Sequence, residues 1–211
     1  MLQQPFCAAM NLIERATVIH YHRQRIAEHG CGDVKALGWV GEASQHDRFE
    51  VMANAVDFSH GCVIDLGSGT GDLKTFLDTR FDGVSYLGID HVPEFIALAR
   101  ERHADDDDAH FELGDFNTLL LPRADHVVAC GSLSYRSGNP NHLYQAIARM
   151  YTAAAQTVVF NVLDAACFPE HPLLVGHPVD EVLAFCRHLA ARVEMVRGWA
   201  GDNVTVVMRV G

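Results

Sequence analysis

The chain is short of basic residues: 16 Lys and Arg stand against 27 Asp and Glu, a formal charge of −11. Nucleic-acid binders usually carry a basic footprint, so this balance argues against such a partner, although a local patch is compatible with it. No stretch approaches the ~20 apolar residues of a membrane helix. Met1 to Met10 has neither the charged start nor the long apolar centre of an export signal. The six cysteines, Cys7, Cys31, Cys62, Cys130, Cys167 and Cys186, include no C-x-x-C pair. That excludes the usual redox and zinc spacings and predicts reduced, mostly buried thiols in a cytoplasmic protein. The 13 histidines form no H-E-x-x-H or Cys/His set, and His20 and His22, two apart on a predicted helix, do not share a face. No metal is expected. Internal repeats and low-complexity linkers are also missing, and the short acidic run Asp105 to Asp108 reads as a solvated loop.

What is present is a large apolar fraction, 49% of 211 residues, enough for one core without staples. The chain is therefore read as a single domain, 1–211, with 1–60 a helical cap and 61–211 a core. Asn11 to His29 predicts an amphipathic helix with Leu12, Ala16, Ile19 and Ile26 inward, ended by Gly30. Ser44 to Phe58 predicts a second, its start marked by a Ser44/Asp47 capping box and its inner face by Phe49, Met52 and Val56. From residue 62 short apolar runs alternate with helical ones. Strands are expected at Cys62–Leu66, Val84–Ile89, Ala109–Leu113, His126–Cys130 and Thr157–Val162. Helices are expected at Asp72–Arg80, Pro93–His103, Pro140–Ala155 (Asn139 as cap) and Val179–Ala191. Two further strands, Val193–Trp199 and Asn203–Val210, flank the turn Ala200-Gly201-Asp202, which makes them antiparallel. The sum is an α/β fold: a doubly wound, mostly parallel seven-stranded sheet with a C-terminal antiparallel hairpin and N-terminal helices.

The most informative segment is Val63-Ile64-Asp65-Leu66-Gly67-Ser68-Gly69-Thr70-Gly71-Asp72-Leu73. A buried strand runs into three alternating glycines and then a helix, which permits a tight turn and lets backbone N–H groups approach a ligand at the carboxyl edge of the sheet. The spacing is not the G-x-G-x-x-G of dinucleotide sites, and no Lys follows as in a phosphate loop. Asp72 puts a carboxylate where a pyrophosphate would sit. Together with Asp65 it favours a ligand bearing an ammonium.

An acidic residue followed by G-x-G-x-G is similar to the first motif of the class I S-adenosylmethionine-dependent methyltransferases, and the similarity continues from about residue 40 to the end of the chain. The resemblance implies S-adenosylmethionine as methyl donor and S-adenosylhomocysteine as product. It implies a donor site built from Asp65, Gly67, Ser68, Gly69 and Gly71; from Asp90 and His91 after the second strand, the acid binding the ribose hydroxyls; and from Asp115 and Phe116 after the third, at the adenine. Cys130 and Gly131, opening Cys130-Gly131-Ser132-Leu133-Ser134-Tyr135, line the methionine end, where the acceptor is also met. Ala36-Leu37-Gly38-Trp39, with Ser44-Gln45 and Arg48-Phe49, resembles the segment before the first strand in small bacterial members of unassigned substrate. There Trp39 or Arg48 would reach the donor, Arg48 pairing with its carboxylate; a surface helix cation is the other reading of Arg48.

A general base is needed only if the acceptor loses a proton. Tyr135 and His22 are the candidates, with core or surface packing as the alternative for His22 and Tyr21. After the fourth strand there is no Asn/Asp-Pro-Pro-aromatic motif, which, with the charge of −11, favours a small-molecule acceptor, with a protein acceptor next. The Asp164 to Val179 segment is a candidate acceptor lid. The alternatives from other classes are a catalytically inactive, methyltransferase-like binding or scaffold protein and, against Asp72 and the terminal hairpin, a nicotinamide dehydrogenase.

Overall fold

The computed structural model describes residues 10–197 and 201–211. Six helices and seven strands follow one another as α1(Leu12–His29), α2(Glu42–Ala55), β1(Cys62–Leu66), α3(Asp72–Asp78), β2(Ser85–Asp90), α4(Pro93–Arg102), β3(Ala109–Leu113), β4(Ala124–Ala129), α5(His142–Ala153), β5(Ala154–Leu163), α6(Val179–Leu189), β6(Arg192–Val196) and β7(Asn203–Arg209). The strands form one sheet in the order β3-β2-β1-β4-β5-β7-β6. β3, β2, β1, β4 and β5 run parallel, while β7 is antiparallel to both β5 and β6. The fold expected from the alternation and the terminal hairpin is thus present. The end of the expected strand Val193–Trp199 and Ala200 of the following turn lie outside the described residues.

Both faces of the central strands are covered, which is why they read as unbroken apolar runs. Along β1 and β4, Ile64, Leu66, Val127 and Ala129 point into a core shared with Leu143, Ile147 and Met150 of α5 and Val182 and Cys186 of α6. Val63 and Val128 point the other way, toward Phe49 and Met52 of α2, Leu77 of α3 and Ile96 of α4. No described helix is long and apolar enough to cross a membrane.

The first two helices depart from their sequence readings for identifiable reasons. Leu12 is 71% exposed, and the buried residues of α1 are Val18 and His22. The face α1 turns inward is not its most apolar one, because it covers a polar cavity. α1 is opened by a capping box that the apolar pattern did not reveal. Asn11 Oδ1 accepts from the N–H groups of Ile13 and Glu14, and Glu14 Oε2 accepts from Asn11 N at 2.9 Å. Asn11→Ala is expected to lower stability by about 1 kcal/mol in urea unfolding. α2 begins at Glu42 behind Gly41 with no side-chain cap, so the Ser44/Asp47 box does not form; Ser44 instead bonds Arg48. Likewise α5 starts behind Asn141, and Asn139 Oδ1 accepts from Asn141 N at 3.0 Å rather than capping the helix itself. Of the described cysteines, Cys130 and Cys186 are buried, Cys31 and Cys62 half-buried and Cys167 exposed, fewer buried than their apolar neighbours suggested.

Candidate functional site

The strand order reverses between β1 and β4, and the carboxyl ends of these strands open a crevice there. The crevice encloses about 870 Å³ of space, part of it open solvent.

Its floor is the glycine turn. Gly67, Gly69 and Gly71 all have left-handed φ, +84°, +55° and +81°. The N–H groups of Gly67 and Ser68 donate to the Ile89 carbonyl at 2.8 and 3.2 Å, and Gly69 N–H donates to Asp90 Oδ2 at 2.9 Å. The sequence reading had these N–H groups approaching a ligand; the structure gives them partners within the protein. What the turn leaves for a ligand is acceptor-rich. Asp65 is buried with Oδ1 lacking a partner, and Ser68 Oγ is buried without one as well. Asp90 Oδ1 accepts from Val92 N at 2.9 Å, so the same carboxylate ties the β1 and β2 turns together. Asp72 lies on the cavity wall, but its charge is met by Arg102 at 2.8 Å and by Gln45 Nε2 at 2.9 Å. Its expected repulsion of a phosphate is therefore partly neutralised.

Of the residues singled out from the sequence, Trp39, Asp65, Gly67, Ser68, Gly69, Asp90, His91, Asp115, Phe116, Cys130, Gly131, His22 and Tyr135 line this one cavity. Two do not. Gly71 lies beneath the turn as the residue before α3, under His103 and Phe111. Arg48 is buried behind Trp39, its guanidinium stacked 4.7 Å from the indole and bonded to Ser44 Oγ at 2.8 Å. In this arrangement the guanidinium lies behind the cavity lining, against the Trp39 wall, and not in it. The Asp164 to Val179 segment also lies outside the lining. Leu174 bridges to Tyr135, and Val175 N–H donates to the Ser134 carbonyl at 2.9 Å, so this segment braces the loop carrying Tyr135 rather than covering the cavity.

The roof comes from the N-terminal cap, α1 and the segment that carries Leu37 and Trp39. α1 crosses the carboxyl edge of the sheet and is tied down along its length. Arg15 pairs with Asp115 at 3.4 Å, Glu14 accepts from Gly138 N at 2.6 Å, and Arg23 pairs with Glu94 at 2.6 Å. Leu37 lies over Gly69, and Trp39 over Gly131. Arg15, Val18 and His22 recur at helical spacing along the face of α1 that lines the cavity. Gln45, Asn117 and His142 add further polar groups to the lining.

His22 and Tyr135, 113 residues apart in sequence, meet here: His22 Nε2 is 2.7 Å from the Tyr135 hydroxyl, and Nδ1 is 2.9 Å from the Ala36 carbonyl. Burial holds the imidazole below its usual pKa.

Comparison with known proteins agrees with this arrangement. Residues 64–157 match the family model described as a methyltransferase domain. A search of curated protein sequences finds no match. Among solved structures, the magnesium protoporphyrin IX methyltransferase of Synechocystis PCC 6803 with bound SAM superposes with a TM-score of 0.68 at 14% identity, covering 95% of this chain and 99% of that one. DhpI in its SAH complex gives 0.68 at 19% identity, over 93% and 97% of the two chains. Human N-acetylserotonin methyltransferase in complex with SAM gives 0.68 at 16%, over 93% of this chain and 58% of that one. With its Gly-rich turn, its sheet order and a methyltransferase-domain match over residues 64–157, the chain has the fold of the class I S-adenosylmethionine-dependent methyltransferases.

Proposed function

We propose that this methyltransferase acts on a small, uncharged molecule held beneath α1, with the donor lying across the glycine turn. The carrying observation is the composition of the cavity. Its buried polar atoms without a partner are the acceptor Asp65 Oδ1 and the Ser68 hydroxyl, while the N–H groups of Gly67, Ser68 and Gly69 are already engaged. Such a surface suits an ammonium and a vicinal diol and offers little to a diphosphate. S-adenosylmethionine brings both groups, and its sulfonium supplies an already activated methyl.

In this reading Asp65 faces the ammonium, Asp90 accepts from the ribose hydroxyls, and Asp115 and Phe116, with His91, take the adenine. Cys130, Gly131 and the Trp39 ring enclose the methionine end. Among the described lining residues Arg15 is the only Lys or Arg, and it is paired with Asp115, so an anionic acceptor would find no unpaired Lys or Arg to meet it. The roof made by α1 suits a compact acceptor better than a polypeptide. By their names, two structural neighbours act on a porphyrin and on N-acetylserotonin, which supports a small molecule here. The protein's part in catalysis is to align acceptor and methyl and to exclude water.

Calorimetry with S-adenosylmethionine and S-adenosylhomocysteine tests the donor site. Both are expected to bind, and Asp90→Ala is expected to weaken them by roughly 1–3 kcal/mol, about 5- to 150-fold. Absence of binding to the folded protein would overturn the reading. A labelled-donor screen against metabolite pools tests the acceptor class, and transfer confined to protein fractions would move the acceptor there.

A further inference from the structure

The cavity holds one polar pair that donor binding does not use. We propose that Tyr135 and His22 form a proton relay that takes up the hydroxyl proton of the acceptor, and that the acceptor is an uncharged phenol-class molecule methylated on oxygen. The inference rests on the methyl-transfer reading of the same site and deepens it.

The hydrogen-bond partners fix the direction of the relay. The Ala36 carbonyl, 2.9 Å from His22 Nδ1, can only accept. The neutral imidazole therefore carries its hydrogen on Nδ1 and presents a lone pair at Nε2. Tyr135 Oη, 2.7 Å away, must donate to that lone pair, which leaves the phenolic oxygen with a lone pair turned to the cavity it lines. Both partners are held. His22 is packed edge-on to Phe95 at 5.2 Å and is 5% exposed, and Tyr135 is pinned through its backbone bridge to Leu174. The charged and titratable groups facing the pair are Asp90 and His91 after β2, and Tyr21 and Arg25 on α1. Burial outweighs them and keeps His22 neutral near pH 7, the form a base requires.

The step balances as follows. The acceptor oxygen forms its bond to the methyl carbon while the carbon–sulfur bond breaks and its electron pair goes to sulfur. The acceptor proton passes to Tyr135 Oη, whose own proton passes to His22 Nε2. The imidazolium is stabilised through Nδ1–H on Ala36 and later releases its proton to water. Tyr135 is thus the catalytic residue and His22 a positioning and proton-storing residue behind it. Burial raises the Tyr135 hydroxyl above its ordinary pKa, with Asp90 adding to the rise, so Tyr135 passes a proton on to His22 without resting as a phenolate, and a phenol, the more acidic kind of hydroxyl, yields its proton to the relay most readily. An aliphatic alcohol is a much weaker acid and gains less from this relay. Val18, Leu37, Trp39 and Phe95 give the surrounding cavity an apolar lining suited to a ring.

Two measurements test this on the full chain. In the complex with S-adenosylhomocysteine, ¹⁵N-imidazole NMR is expected to show His22 as the Nδ1–H tautomer titrating below the usual histidine range. The Nε2–H tautomer would overturn the relay. Labelled S-adenosylmethionine with a series of ring-substituted phenols is expected to give methyl ethers, with kcat/KM falling on the acid side as His22 protonates. Tyr135→Phe should lower kcat/KM about 100-fold with donor affinity by calorimetry unchanged, and His22→Asn should abolish the acid limb. Wild-type rates in both variants, or an acid limb that persists without His22, would overturn the assignment. Transfer to none of the phenols by a protein that binds the donor would overturn the acceptor class while leaving the donor site standing. Failure to bind the donor at all would remove both readings.

Discussion

Gly67→Ala is expected to lower unfolding stability by about 2–5 kcal/mol, the sum of two separable penalties. The first is backbone strain: φ at Gly67 is +84°, a region costing an L-residue about 1–2 kcal/mol. The second is contact. An added Cβ would sit 2.3 Å from the Ser132 Cβ, an overlap worth about 1–3 kcal/mol. Ser132 cannot simply swing away, because its hydroxyl donates to the Leu66 carbonyl and its own Cβ is the clashing atom. Urea unfolding of Gly67→Ala, Ser132→Gly and the double variant separates the two penalties. The double variant should be more stable than the two single losses added together, by the size of the contact penalty. Strict additivity would show that the β1 and β4 turns do not crowd each other as described. The consequence for function is direct: this crowding sets the distance between the two turns that form the floor and wall of the cavity, so the double variant should recover stability before it recovers donor binding.

How much of this was legible in the sequence follows from how local each signal is. The core strands were readable because β1, β4 and β5 are buried on both faces, and β3, Ala109–Leu113, was placed at its observed ends. The carboxyl-edge positions Asp65, Asp90, Asp115 and Cys130 were readable because each lies within two residues of the carboxyl end of a strand. The strand order was not, since nothing local says that β7 inserts between β5 and β6. The burial of Arg48 was not legible, because its charge suggested a carboxylate contact or a surface cation, whereas its guanidinium lies over the Trp39 ring. The pairing of His22 with Tyr135 joins a helix before the sheet to a loop after its fourth strand, and no spacing rule spans such a separation. The inward face of α1 was misread for a related reason. A helix that covers a polar cavity buries His22 while leaving Leu12 in solvent, which inverts the usual amphipathic pattern.

Asp65→Asn is expected to change how stability depends on pH, because Asp65 is a carboxyl group placed where its charge is poorly supported. It is 2% exposed, Oδ1 has no partner, and its bonded donor is the Tyr86 hydroxyl at 2.5 Å from Oδ2. Burial pushes its pKa from the ordinary 3.8 up to about 7, with the Tyr86 hydrogen bond opposing and the nearby Asp90 carboxylate adding to the rise. A carboxyl whose folded pKa is raised keeps its proton in the native state while the unfolded chain has already lost it. Stability therefore falls with rising pH between about 4 and 7, by about 1.4 kcal/mol per pH unit, and the full penalty is present above 7. Measured by urea unfolding, the stability of Asp65→Asn relative to the wild type should rise by roughly 2–3 kcal/mol from pH 5 to pH 8; a flat difference would mean that Asp65 titrates normally. Taking the difference cancels the contributions of the other carboxylates. The same strain makes the site receptive. An ammonium placed against Oδ1 would support the charge and draw the proton off, so at pH 6 donor binding should release about one proton per molecule bound. Calorimetry in buffers of different ionisation enthalpy reads that number, and it should vanish in Asp65→Asn. Proton release that is absent from the wild type, with donor affinity intact, would place the ammonium away from Asp65.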